Sequence, residues 1–227
     1  MMIVKDYQAK CQKGEINQDA EQLWVLEHLE EISLRLKREH KKRSRILSSF
    51  RKRQSITGLY LWGGVGIGKT FLMDCFFQHL PFKQKLRMHF HAFMQMVHHE
   101  LKSLQGREDP LRILAEKIAR ANIVLCFDEL AVSDITDAMI LGRLFKILFA
   151  NGVTLITTSN IKPDDLYKNG LQRQHFLSVI KMLKEHMRVM HLATKMDYRK
   201  RHLKQAGVFH TPNNEISLQK MEKTFEI

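Results

Sequence analysis

The chain has no C-x-x-C pair; its three cysteines, Cys11, Cys75 and Cys126, lie far apart among 227 residues. That spacing suggests neither a zinc site nor a disulfide framework and points to a reduced, intracellular protein. No stretch approaches the roughly 18 consecutive apolar residues that a membrane span requires. The opening residues, MMIVKDYQAKCQKG, lack the apolar core of a signal peptide. Internal repeats and low-complexity tracts are missing as well. What remains is a chain with 44% hydrophobic residues, enough for one sizeable core or one core with small appendages.

Acids are scarce in one place. Residues 35–53, RLKREHKKRSRILSSFRKR, hold ten Lys/Arg against a single acid, Glu39, and so supply +9 of the chain's net +13. The plain reading is a solvated linker. The same charge also suits nucleic acid, an anionic lipid surface through peripheral membrane association, or an acidic protein. No aromatic residue interleaves the basic ones except Phe50, which weakens the case for base stacking.

Periodicity organises the rest. Leu23, Leu26, Leu29, Ile32 and Leu36 recur at spacings of three and four, predicting a helix over 20–38. From Ser55 onward, apolar runs alternate with helix-length segments. Strands are predicted at 57–62 (TGLYLW), 85–91 (KLRMHFH), 122–127 (NIVLCF), 153–159 (VTLITTS) and 188–193 (RVMHLA). Helices are predicted at 69–80, stopped by Pro81, then at about 92–105 and 110–120, through DITDAMILGRLFKILFANG, and through RQHFLSVIKMLKEHM. Fully apolar strands separated by helices imply a parallel sheet covered on both faces. Such a sheet binds ligands beyond the carboxyl ends of its strands.

The polar residues of interest fall at those ends. Gly63, four residues, then Gly68-Lys69-Thr70 complete a G-x-x-x-x-G-K-[ST] loop between a predicted strand and a predicted helix. Its glycines let backbone N–H groups turn toward phosphate oxygens, Lys69 adds a point charge, and the Thr70 hydroxyl is suited to Mg²⁺. The helix that follows points its positive end at the same anion. IVLCFDEL ends a buried strand in Asp128-Glu129. One carboxylate there holds the metal shell, and a second takes a proton from an attacking water. A solvated acid pair is the plain alternative. Asn160, just past TLITTS, is placed to orient that water or touch the terminal phosphate; the alternative is a turn-forming Asn ahead of Pro163. TKMD at 194–197 imitates a guanine-reading tetrapeptide, but Asp128 is followed by Glu-Leu-Ala rather than by x-x-Gly.

The order of these motifs resembles that of AAA+ ATPases, and the longer strings are narrower. GLYLWGGVG-GKT, LRMHFHAFM, VH-EL, DPL, LCFDEL-VSDITDAMILG, GVTLITTSNI-PDDLY-NGLQR and DYR-R are similar to those of the ZapE/AFG-like ATPase family, from about residue 4 to 220. The resemblance implies an α/β P-loop NTPase of AAA+/ASCE type, with a parallel five-stranded sheet sandwiched by helices and an N-terminal helical extension. It implies residues 1–54 as an N-terminal helix and basic linker, 55–200 as the ATPase core, and 201–227 as the start of a C-terminal portion. Carried over, Gly63, Gly64, Val65, Gly66, Ile67, Gly68, Lys69, Thr70 and Phe71 bind nucleotide. Thr70 and Asp128 hold Mg²⁺, while Glu129, Lys69, Asn160 and Arg173 serve catalysis. Arg173, in NGLQRQHF, is the arginine-finger candidate; a salt-bridged residue at a helix start is the plain alternative.

A finger acting on a neighbour's ATP implies a homo-oligomer. Bacterial members of the family are cytoplasmic cell-division ATPases linked to the FtsZ ring, and eukaryotic members are mitochondrial ATPases of protein quality control. The implied activity is therefore Mg-dependent ATP hydrolysis coupled to remodelling of a protein partner. A nucleic-acid-associated ATPase of helicase-loader type, or an ATP-binding scaffold without turnover, are the alternatives. Three departures stand out. Ile67 replaces a basic residue, His175 replaces Arg, and the family continues past this chain's last residues into a helical lid with a second sensor.

Four histidines and two acids complete the inventory. His89 and His91 are two apart on a predicted strand, with His98 and His99 on the next helix. No cysteine is close in sequence to finish a metal site. His91, read as the end of its strand, is instead a candidate relay between the γ-phosphate and Glu129. Ser133 or Asp134 is expected to cap the following helix, with Asp137 in its first turn.

Overall fold

The computed structural model describes residues 2–43 and 55–193. The five apolar runs form strands β1 (Gly58–Gly63), β2 (Lys85–His89), β3 (Val124–Asp128), β4 (Thr154–Ser159) and β5 (Met187–Leu192). They pair in the order β2-β3-β4-β1-β5, and every pairing is parallel. The helices are α1 (Ile3–Gln12), α2 (Ala20–Arg43), α3 (Lys69–Gln78), α4 (Phe90–Ser103), α5 (Pro110–Ala121), α6 (Ile135–Ala150) and α7 (Arg173–His186).

Strand alternation sorts side chains to two faces. Tyr60, Leu125, Phe127 and Leu155 share one buried cluster with residues of α4, α5, α6 and α7. Leu59, Leu61, Val124, Cys126 and Ile156 share the other with α1, α2 and α3. Both faces are thus covered, as a parallel sheet requires. The helix starts are set locally. The Asp109 side chain accepts from the Arg112 N–H, ahead of Pro110 in the first turn of α5. Asp134, rather than Ser133, caps α6 by accepting from the Thr136 and Asp137 amides at 2.7 and 3.2 Å.

Three elements differ from the sequence reading. β2 stops at His89, because Phe90, Phe93, Met94 and Val97 are all buried on one stripe of α4. The helix therefore begins two residues before its expected start, and His91 lies in its first turn. α2 runs past its expected end at 38 to Arg43, so 39–43 is helix and not linker. Its last turns are anchored: His40 stacks on Phe82 at 4.9 Å, and the Arg43 guanidinium donates to the Gly152 carbonyl at 2.6 Å. Its closing cations also suit a helix C-terminus. α1 went unread because Ile3, Val4 and Tyr7 are its whole buried face, too few for a periodic signal. Residues 44–54, the TKMD tetrapeptide, Asp197-Tyr198-Arg199 and 201–227 lie outside the described residues. Among those described, no helix is long and apolar enough to cross a membrane.

Phe127 is fully buried, with the Phe93 ring centred 4.4 Å away and Phe90 edge-on at 5.9 Å. Phe127→Ala is expected to lower unfolding free energy by about 3–5 kcal/mol. Urea denaturation should show this as a lower midpoint at unchanged slope.

Candidate active site

The order β3-β4-β1 brings three strand ends side by side. The phosphate loop leaves β1, the acid pair leaves β3, and Asn160 follows β4. Gly63 opens the loop where a side chain does not fit: a Cβ there would meet the Leu192 carbonyl oxygen at 2.4 Å. Gly68 closes it at φ 91°, a left-handed conformation suited to glycine. Having no side chain to cap α3, Gly68 leaves the first-turn amides for an anion.

The structure places Lys69 at the centre. It is 8% exposed, and its Nζ donates to the Gly63 carbonyl at 2.9 Å, to the Gly64 carbonyl, and to Asn160 Oδ1 at 2.8 Å. Lys69 and Asn160, 91 positions apart, are thereby brought together. Thr70 is exposed in the first turn of α3, and Phe71 is half-buried beside Tyr7. Val65 points outward, whereas Ile67 turns inward, 7% exposed, into the cluster that holds α1 and α2.

Asp128 and Glu129 have opposite surroundings. Asp128 is buried and Glu129 exposed. Glu129 holds a left-handed backbone, φ 58°, and its N–H donates to Thr158 Oγ1 at 3.1 Å. The next amide, of Leu130, donates to the Thr158 carbonyl at 2.8 Å. The sharp turn at Glu129 is thus stitched to β4, and its carboxylate is carried out past the sheet.

Sequence reasoning missed Arg87. From β2 its Nε donates to Asp128 Oδ2 at 2.8 Å, and its Nη1 is bonded to Asp74, one turn beyond Thr70 on α3. Burial by itself would lower the Arg87 pKa, but the bonds to Asp128 and Asp74 outweigh it and the net shift is upward. The guanidinium therefore stays charged between two carboxylates. One signal was available. An Arg inside a strand, flanked by Leu and Met, requires an acid partner.

The histidines sit otherwise than expected. His91 is exposed in α4 and bonds Gln95 at 3.0 Å, so the strand-end geometry behind the relay reading is absent. His98 lies 2.6 Å from Asp137, an acid that sequence distance had hidden. Burial pushes the Cys75 thiol up to about 11 and the Cys126 thiol higher still, so both remain protonated core residues. Arg173 begins α7. It donates to the Asp164 carbonyl, while its Nε is buried with no hydrogen-bond partner among the described residues. His175 is exposed.

Comparison with known proteins gives this geometry a family. The AFG1-like ATPase profile matches residues 1–227. The chain belongs to the AFG1-like ATPase family. It is 54% identical over 172 residues to cell division protein ZapE of Escherichia coli K12, covering 76% of this chain and 46% of that protein. To lactation elevated protein 1 homolog B of Danio rerio it is 47% identical over 161 residues, covering 66% and 32%. The chain therefore spans about half or less of these relatives. In structure it resembles domain III of the Thermotoga maritima replication initiator DnaA. The TM-score is 0.57 at 16% identity, covering 90% of this chain and 78% of that one, which supports the P-loop fold.

The residues of this AFG1-like chain fit a magnesium nucleotide. An uncapped helix start, a buried lysine, the Thr70 hydroxyl and a carboxylate converge there. Asp128 keeps acceptor capacity beyond its two bonds to Arg87, at 2.8 and 3.4 Å. Arg87→Met would leave Asp128 buried without its partner, and a loss of about 3 kcal/mol in unfolding free energy is expected. Guanidinium-chloride titration measures it. A variant as stable as wild type would show the pair to be dispensable.

Proposed function

We propose that this chain is a Mg-dependent ATP hydrolase that couples turnover to remodelling of a protein partner, the FtsZ ring of a dividing cell. One observation carries the reading. Lys69 and Asn160 are joined at 2.8 Å, and β3, paired with β4, ends at the exposed Glu129, so a charge, an amide and a base stand at neighbouring strand ends. A bound Mg²⁺, held through Thr70 and Asp128, would neutralise the β- and γ-phosphate oxygens. Lys69 and the α3 amides hold the phosphates. Asn160 orients a water molecule and Glu129 accepts its proton. The water oxygen bonds to the γ-phosphorus as the bond from that phosphorus to the bridging oxygen breaks, yielding ADP and phosphate.

Arg173 is proposed to stabilise charge on a neighbouring subunit's nucleotide in a homo-oligomer. The orphaned buried Nε supports a guanidinium whose bonding is incomplete within one subunit. To act in trans it must release the Asp164 carbonyl. A cytoplasmic location goes with this reading. The second reading, a nucleic-acid-associated ATPase, draws on the exposed Arg35, Arg38, Lys41 and Lys42 at the end of α2. Peripheral contact with an anionic membrane would draw on the same basic segment, 35–53.

Glu129→Gln is expected to keep ATP binding and to lower phosphate release at least about a hundredfold. Unchanged turnover would remove Glu129 from the mechanism. If wild type binds but releases no phosphate, the chain is a nucleotide-binding scaffold. Phosphate release by the wild type should rise with FtsZ filaments and stay level with single-stranded DNA. Stimulation by DNA and not by filaments would favour the helicase-loader reading.

A further inference from the structure

The phosphate loop does not stand by itself. Gln22, in the first turn of α2, is 2% exposed, and its Nε2 donates to the Ile67 carbonyl at 3.2 Å. Its Oε1 lies 3.4 Å from the fully buried Tyr7 hydroxyl of α1, which accepts from the Asp19 N–H at 2.9 Å. The Ile67 side chain packs in the same cluster as Ile3, Val4, Tyr7 and Val25. The α1–α2 hairpin thus grips one loop residue by both its carbonyl and its side chain. At its other end, Glu30 ties α2 to the start of α1 by accepting from the Val4 N–H at 3.1 Å.

A trans peptide points its C=O and the following N–H in opposite directions. Holding the Ile67 carbonyl toward α2 therefore turns the Gly68 N–H away from α2, toward the inside of the loop where a phosphate oxygen sits. We infer that Gln22 is a positioning residue for the phosphate loop, and that seating of the α1–α2 hairpin sets the affinity of the site for nucleotide. Tyr7 orients the Gln22 amide. Ile67 supplies the apolar contact that keeps the loop in register with the hairpin. A lysine or arginine at 67 would carry a charge into this cluster, so an apolar residue suits a loop held from this side.

The inference rests on the loop's holding nucleotide, which wild-type binding of a fluorescent Mg·ADP analogue tests separately. Gln22→Met keeps the shape and removes the donor. It is expected to weaken analogue binding about fivefold, the factor that one net hydrogen bond provides. Gln22→Glu replaces the donor with an acceptor and should weaken binding at least as much. Tyr7→Phe should weaken binding in the wild-type background and have less effect on top of Gln22→Met, a coupling that loss of stability by itself would not produce. Hydrogen exchange without nucleotide should quicken at Gly66–Lys69 in Gln22→Met while β3 and β4 stay as slow as in wild type.

Wild-type exchange at the loop in both Gln22 variants would overturn the inference, as would faster exchange spread over the whole sheet. Fully additive effects of Tyr7→Phe and Gln22→Met would remove Tyr7 from the chain of contacts and leave it a structural residue. Should the wild type fail to bind the analogue, the nucleotide reading falls, and the exchange measurement still decides whether Gln22 holds the loop.

Discussion

Parallel strands cannot be joined by tight turns. Each connection must cross back along a face of the sheet, and that constraint governs this molecule. Every crossover lays a helix on one face or the other, so the inner strands β1, β3 and β4 are buried on both sides and their backbone polarity is spent within the sheet. Strand tips on the carboxyl side are then the natural places to leave side chains polar. The phosphate loop, the acid pair and Asn160 are gathered by this topology before any of them bonds to another. Lys69 completes the gathering by reaching from the start of α3 to the last residue of β1 and the residue after β4.

Electrostatics ties the same edge from beneath. Arg87 sits between Asp74 on α3 and Asp128 on β3, linking the helix after the phosphate loop to the strand that carries the acid pair. A planar guanidinium serves two carboxylates at fixed angles, which a lysine would not. The three elements β2, β3 and α3 are held to one another by charge as well as by packing. The apolar cluster of α1, α2 and α3 lies on the same side of the sheet, so loop, acids and N-terminal hairpin share one mechanical unit.

The phosphate loop, the strands and most helices were legible because their signals are local. A glycine-lysine-threonine string and runs of apolar residues need no knowledge of neighbours. Arg87 was not legible as a partner of Asp128, because the order of strands in a sheet is not written in any one strand. His98 and Asp137 meet for the same reason, across 39 positions. Ile67 looked like a departure within a charged loop. Its burial depends on a hairpin more than 20 residues upstream, and half of that hairpin, α1, carries too few apolar residues to announce itself. His91 misled because strict alternation ran on through the turn where strand becomes helix. In the long basic stretch, charge suggested a linker, whereas the anchoring of His40 and Arg43 carried α2 past Leu36, the last residue of its apolar stripe, to Arg43.

The left-handed backbone at Glu129 sets stability against chemistry at a single residue. A side chain in that region costs about 1–2 kcal/mol that glycine does not incur. The chain keeps a carboxylate there, stitched down by Thr158. Selection for a tougher fold would favour glycine at this turn and, on the reading proposed for Glu129, would silence the site. Thermostability screens run without an activity filter would therefore admit inert proteins at this position.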